Sequence, residues 1–242
     1  MRFDWTRGTL LSLTGATQSM SIAVDTKDCT ALSDAELAEM ADLCADGPLR
    51  YEVGALSKQA EAWVLVTQVR DNDKLKGFAF CTLERIGGTP CVLLGMASIR
   101  RTSKRDSVLR GIFLDQMRRA VLAFPDEDVL VGARFGEPGG FDAFKNLNDI
   151  VPRADHKATG EERAWGSRLA RRFGIENGAY DQRAFLARGD GSGPAEVFDH
   201  TTLHPEGIDE ETAARFEEVR PEKGDSLVAF GWAMEEDLRK LA

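Results

Sequence analysis

Hydrophobic positions recur with two different periods along this chain, and the changes of period mark out its elements. Residues 21–26, SIAVDT, alternate weakly and predict a strand. Residues 33–47, SDAELAEMADLCADG, place Leu37, Met40 and Cys44 on one helical face. Ser33 and Glu36 have capping-box spacing there, and Gly47 ends the run. Residues 57–63 predict another helical turn. Three runs then read as strands: 63–70, 76–85 and 90–100. DNDK (71–74) and IGGT (86–89) separate them with hairpin chemistry, so the three are expected as antiparallel neighbours.

The period then lengthens. Leu109, Ile112, Phe113, Met117, Ala120 and Val121 predict a helix over about 108–123, stopped by Pro125. Residues 127–135, EDVLVGARF, form a nearly continuous apolar run, as in a central strand buried on both faces. The segment Val129–Val131 is therefore expected beside Cys91–Arg100, with the preceding helix packed across the sheet. GEPGG (136–140) leads into a short helix at about Phe141 to Leu147. Thr159 and Glu162 make a second capping box, followed by a Trp165, Leu169, Phe173 stripe and a Gly174 C-cap. RAFLARG (183–189) reads as a strand, and two amphipathic helices fit 209–219 and 226–241. The expected organisation is a loose arm over 1–19, with Met20 as an alternative start, an α+β core over 20–156, and an α-rich extension over 157–242 packed on it.

Composition narrows the function classes. With 242 residues, 43% hydrophobic and 29% charged, the chain suits an ordinary soluble domain. A formal charge of -9 argues against general nucleic-acid binding and leans toward cationic ligands such as amines. No apolar run approaches the ~20 residues of a membrane span. Cys29, Cys44, Cys81 and Cys91 form no C-x-x-C pair, which reads as buried thiols in a reducing, cytoplasmic setting.

One stretch runs against the overall charge. Gly95 to Val121 carries seven cationic and two acidic residues. Arg100, Arg101, Lys104 and Arg105 lie where strand gives way to helix. A helix start offers unpaired N–H groups and partial positive charge, so these residues are candidates for holding an anion. The competing reading is a solvated turn paired with acids elsewhere.

The order helix, antiparallel meander, long helix, buried strand, short helix resembles the GNAT acyltransferase superfamily over roughly Ile22 to Arg153. The resemblance implies a mixed sheet flanked by helices, whose fourth strand splays from the fifth so that acyl-CoA lies in the gap. It implies that the fourth strand is Cys91 to Arg100, and that the acetyl-CoA or other acyl-CoA pyrophosphate sits on the loop and helix start that follow. The implied donor-binding residues are Met96, Ala97, Ser98, Arg100, Arg101, Lys104, Arg105, Ser107 and Val108, with amides near Met96 to Ser98 polarising the thioester. The family signature falls best on Arg105 to Arg110, where Val108 and Arg110 replace its two small residues. Phe144 stands where the family often has a proton-donating Tyr. Glu84 and Glu137 are the nearest candidates for a general base.

Two functions are therefore expected. One is an acyl-CoA-dependent N-acyltransferase acting on a small-molecule or peptide amine, without nucleic-acid or membrane partners and with a homodimer as candidate assembly. The other is a GNAT-like ligand-binding or interaction module that has lost catalysis. His200 and His204, near Asp199 and Glu206, have the spacing of a helical metal pair, but Pro205 and two Thr oppose a helix there. GEPGG lacks the Gly-Lys-Ser/Thr ending of a phosphate loop. Arg163, Arg168, Arg171 and Arg172 form either a solvated face or a second contribution to the same anion site.

Overall fold

The structure is a computed structural model that describes residues 22–47, 49–142, 144, 146–198 and 207–241. The arm over 1–19 and the His200/His204 pair lie outside the described residues.

Local chemistry forms the first elements as the sequence implies. β1 (Ile22–Asp28) leads to α1 (Asp34–Ala45), which is closed by the Ser33–Glu36 capping box. α2 runs over Val53–Ala62, longer than the single turn expected. β2 (Leu65–Asp71), β3 (Lys74–Ile86) and β4 (Thr89–Ile99) follow as an antiparallel meander. Asn72 and Asp73 have φ of 51° and 61°, and Gly87 and Gly88 have φ of 60° and 92°. Two left-handed residues in a two-residue loop match the right-handed twist of the flanking strands.

α3 (Arg105–Ala123) crosses to β5 (Val129–Phe135), an interior strand beside β4 as the buried run 127–135 implied, and the two strands pair in parallel. α4 (Pro138–Asp142) begins three residues earlier than expected, because Pro138 is pre-set for a first helical position. β6 (Asn148–Val151), α5 (Gly160–Arg172), β7 (Tyr180–Asp181), β8 (Leu186–Ala187) and α6 (Glu210–Ala214) follow. The expected helix over 226–241 is instead β9 (Ser226–Ala233) and a short α7 (Glu235–Leu238). β9 lies between β5 and β8 and is buried along almost its whole length, so its sequence is apolar on both faces and shows no period of two.

The strand order is β1-β2-β3-β4-β5-β9-β8-β7, with β6 also on β9. Successive side chains of a strand point to opposite faces. Thr67 meets Gln116 of α3, while its neighbour Gln68 meets Met40 of α1. Gly132 faces Leu169 of α5, while Phe135 faces Phe141 and Phe144. Helices α1, α2 and α5 thus cover one face, and α3 and α4 the other.

Candidate functional site

The site is set by a change of direction in β4. Ala79 pairs with Ala97 and Cys81 with Leu94, so Gly95 and Met96 together oppose the single residue Phe80. Such a bulge bends its strand. Gly95 lets the Trp63 indole lie directly against the bulge, since a Cβ there would come within 2.5 Å of the ring. Pairing between β4 and β5 runs from Cys91↔Leu130 to Leu94↔Ala133 and then stops. Beyond that point the two strands diverge.

The wedge between them is filled by the chain itself. Ala97 N donates to Val197 O at 3.1 Å, and Phe198 N donates to Arg134 O of β5 at 2.8 Å. The segment 195–198 thus lies in the splay, bridged in parallel to Ala97. Ala195, Val197 and Phe198 are 3%, 1% and 0% exposed. Tyr51 Oη donates to Ala195 O at 2.5 Å, and Ala195 N donates to Pro221 O at 2.7 Å. The Phe198 ring stands edge-on to Phe135 at 6.2 Å. Gly140 makes room for this strap, since a Cβ there would lie 2.8 Å from Phe198 O. Beside it, burial lowers the Arg134 pKa, and its Nε donates to Ser226 Oγ at 3.0 Å.

The residues singled out from the sequence are placed as follows. Met96, Ala97 and Ser98 line the splayed half of β4 and are buried. The Ala97 amide is engaged by the strap. α3 starts at Arg105 rather than near Val108, so the family-signature register Arg105 to Arg110 lies inside the helix. Arg105 is 2% exposed, and its amide donates to Thr102 O at 3.1 Å. Val108 is buried over Gly77, where an added Cβ would meet its side chain at 2.6 Å. Ser107 and Arg101 are exposed. Arg100 pairs with Asp46 at 2.6 Å, and Lys104 pairs with the buried Asp71 at 2.7 Å. At least two of the four cations in the strand-to-helix turn are therefore neutralised within the fold.

Glu84 is not brought to the splay. It pairs across the strand with Cys91, five positions along β3 from Ala79, the partner of Ala97. That separation is roughly 17 Å at strand rise. Arg172 Nε donates to Glu84 at 2.6 Å and its guanidinium lies over Trp63. Glu137 stands closer, half-buried in the turn after β5. Phe144 is fully buried, with its ring edge-on to Phe113 at 5.8 Å and Phe135 at 4.9 Å. Burial pushes the Cys29, Cys81 and Cys91 thiols up to about 12, so none of them supplies a thiolate nucleophile at neutral pH. The α5 arginines do not converge: Arg168 stacks on Trp165, Arg172 reaches Glu84, and Arg163 donates to Ala158 O at 2.5 Å.

The strap, its anchor Tyr51 and its neighbour Arg134 are what sequence reasoning missed. The available signal was slight: Ala195, Val197 and Phe198 form a short apolar group directly after the Gly-rich run GDGSGP (189–194).

No family model matches the chain, and no curated protein matches it. Solved structures similar to it include the ribosomal-protein-S18-alanine N-acetyltransferase from Escherichia coli. That likeness has 9% identity and a TM-score of 0.45, and covers 88% of this chain and 95% of the other. The aminoglycoside 6'-N-acetyltransferase from Enterococcus faecium is 12% identical with a TM-score of 0.38, over 55% of this chain and 89% of the other. Escherichia coli ElaA is 15% identical with a TM-score of 0.36, over 58% and 95%. The GNAT-like architecture of the present chain is carried by its own strand order, its β4 bulge and its splay.

Proposed function

We propose that this chain is a GNAT-like ligand-binding or interaction module that has lost acyl transfer from CoA. The observation that carries this reading is the strap: residues 195–198 lie between β4 and β5, hydrogen-bonded to both. The resemblance would put a donor's pantetheine arm in this wedge. Displacing the strap would expose Val197 and Phe198, at a cost of ~3–6 kcal/mol for the two side chains. A donor that must first open the wedge loses affinity by that factor, about a hundred- to ten-thousand-fold. Val108 in place of a small residue, and Phe144 without a proton to give, point the same way.

One observation favours a second reading, an acyl-CoA-dependent N-acyltransferase in which the strap is a gate. Ala97 N–H and Arg134 C=O are bonded to a loop segment rather than to a regular strand, and a donor arm has the groups to replace it. Glu137 is then the nearer candidate base, and the acceptor is a small or peptidic amine.

A thiol-release assay with acetyl-CoA and longer acyl-CoAs over an amine panel separates the two readings. The module reading expects release at the uncatalysed rate with every amine. Saturable release with any amine overturns it and favours the gate.

A further inference from the structure

A cavity of about 570 Å³ opens on the opposite part of the sheet from the strand-to-helix turn, among the β6–α5 connection, the β7–β8 turn and the residue after α6. Its size is that of a small-molecule site. Phe185 and Val151, 1% and 0% exposed, give it an apolar floor. Four cationic residues line it: Lys157, Arg163, Arg183 and Arg215. No Asp or Glu is among the described residues that line it. The nearby Glu162 is turned to His156, at 2.8 Å, and to Arg153, at 3.7 Å.

This grouping is unusual for the chain. In the turn at 100–105 the fold supplies Asp46 and Asp71 as counter-charges. In the cavity it supplies none among the described residues of the lining. Two of the arginines are also held in place by backbone acceptors: Arg163 by Ala158 O and Arg215 by Arg153 O. A guanidinium pinned by one nitrogen loses little further freedom when it binds, and its planar fork matches phosphate oxygens.

We propose that this cavity binds a small organic phosphate, with the phosphate on Arg163, Arg183, Arg215 and Lys157 and the neutral body of the ligand on Phe185. The site stands apart from the β4–β5 wedge, so it holds whether or not the strap opens. Phosphate is favoured over a single carboxylate because one phosphate group presents three terminal acceptor oxygens and nearly two negative charges to the four cationic residues around one space.

The test is calorimetric titration of the full chain with glucose 6-phosphate and with inorganic pyrophosphate, beside glucose and citrate. Both phosphates are expected to bind, more tightly than citrate, and to weaken as salt rises. Lys157 and Arg183 are exposed, so Lys157→Glu with Arg183→Glu leaves the fold intact. That double variant is expected to lose about ten-fold or more in affinity, a change of ~1.4 kcal/mol or above. Arg101→Glu, in the other basic region, is expected to bind as the parent does. Absence of binding by both phosphates at millimolar concentration overturns the proposal. So does binding that survives the double variant but is lost in Arg101→Glu, and so does citrate binding as tightly as the phosphates.

Discussion

The two halves of β4 belong to one strand but have different partners. From Cys91 to Leu94 the strand is paired with β5, its neighbour in the sheet. From Gly95 onward it has bent away, and Ala97 bonds to a segment a hundred residues later in the chain. The first half is closed by regular pairing of two buried strands. The second is closed by a strap whose stability comes from three buried side chains and from Tyr51, Pro221 and Arg134 acting on its backbone. A bulge that opens a wedge does not by itself make a binding site; what occupies the wedge decides that.

The comparison is broken most severely by removing the strap's buried ring. Phe198→Ala empties a fully buried site against Phe135 and is expected to cost about 3–5 kcal/mol in denaturant unfolding. A loss under ~1 kcal/mol would mean that the strap contributes little to closing the splayed half. Phe144→Tyr comes next. Its hydroxyl would be buried among Phe113 and Phe135, so a loss of about 1–3 kcal/mol is expected with no gain in thiol release. Turnover restored by this change would return the molecule to the acyltransferase reading.

Tyr51→Phe is gentler. It removes one hydrogen bond to the strap, at Ala195 O, and is expected to cost about 0.5–1.5 kcal/mol while speeding amide exchange at Ala97 and Phe198 more than at Val92 or Leu93 in the paired half. Equal acceleration in both halves would show that the strap is not a separate unit. The smallest effect is on pH and lies outside both halves. Burial pulls the Glu36 carboxyl upward, but hydrogen bonds from Lys27 and from the Ser33 amide and hydroxyl outweigh it and hold the group at about 2. Its contribution is complete above the unfolded value near ~4.5 and is lost as pH falls through the folded value. Because the pair is near the surface, the loss is expected to be about 1 kcal/mol or less. Lys27→Met should reduce that acid-limb component, leaving the part held by Ser33, while the strap's exchange stays unchanged.

Where local chemistry decides the structure, the sequence was legible. Ser33 with Glu36, Thr159 with Glu162, and the two-residue hairpin loops each contain their own explanation. The continuous apolar run at 127–135 likewise identified an interior strand. The same physics misled at 226–233, where an apolar run buried on both faces lacks the alternation that separates strand from helix. The basic turn illustrates the limit for the site. Arg100 and Lys104 are neighbours in sequence, but Asp46 and Asp71 that neutralise them come from α1's end and from β2. Conversely, Lys157, Arg163, Arg183 and Arg215 meet in space although no short window of sequence contains them.

Residue-resolved amide hydrogen exchange at Ala97, with and without acetyl-CoA, tests the central claim most directly. If the strap closes the wedge, the Ala97 and Phe198 amides exchange only through large openings, as slowly as amides in the paired half of β4, and millimolar acetyl-CoA leaves them unchanged. Fast exchange at Ala97 that becomes slow when acetyl-CoA is added would contradict the account, because it would mean that the wedge is open to the donor and filled by it.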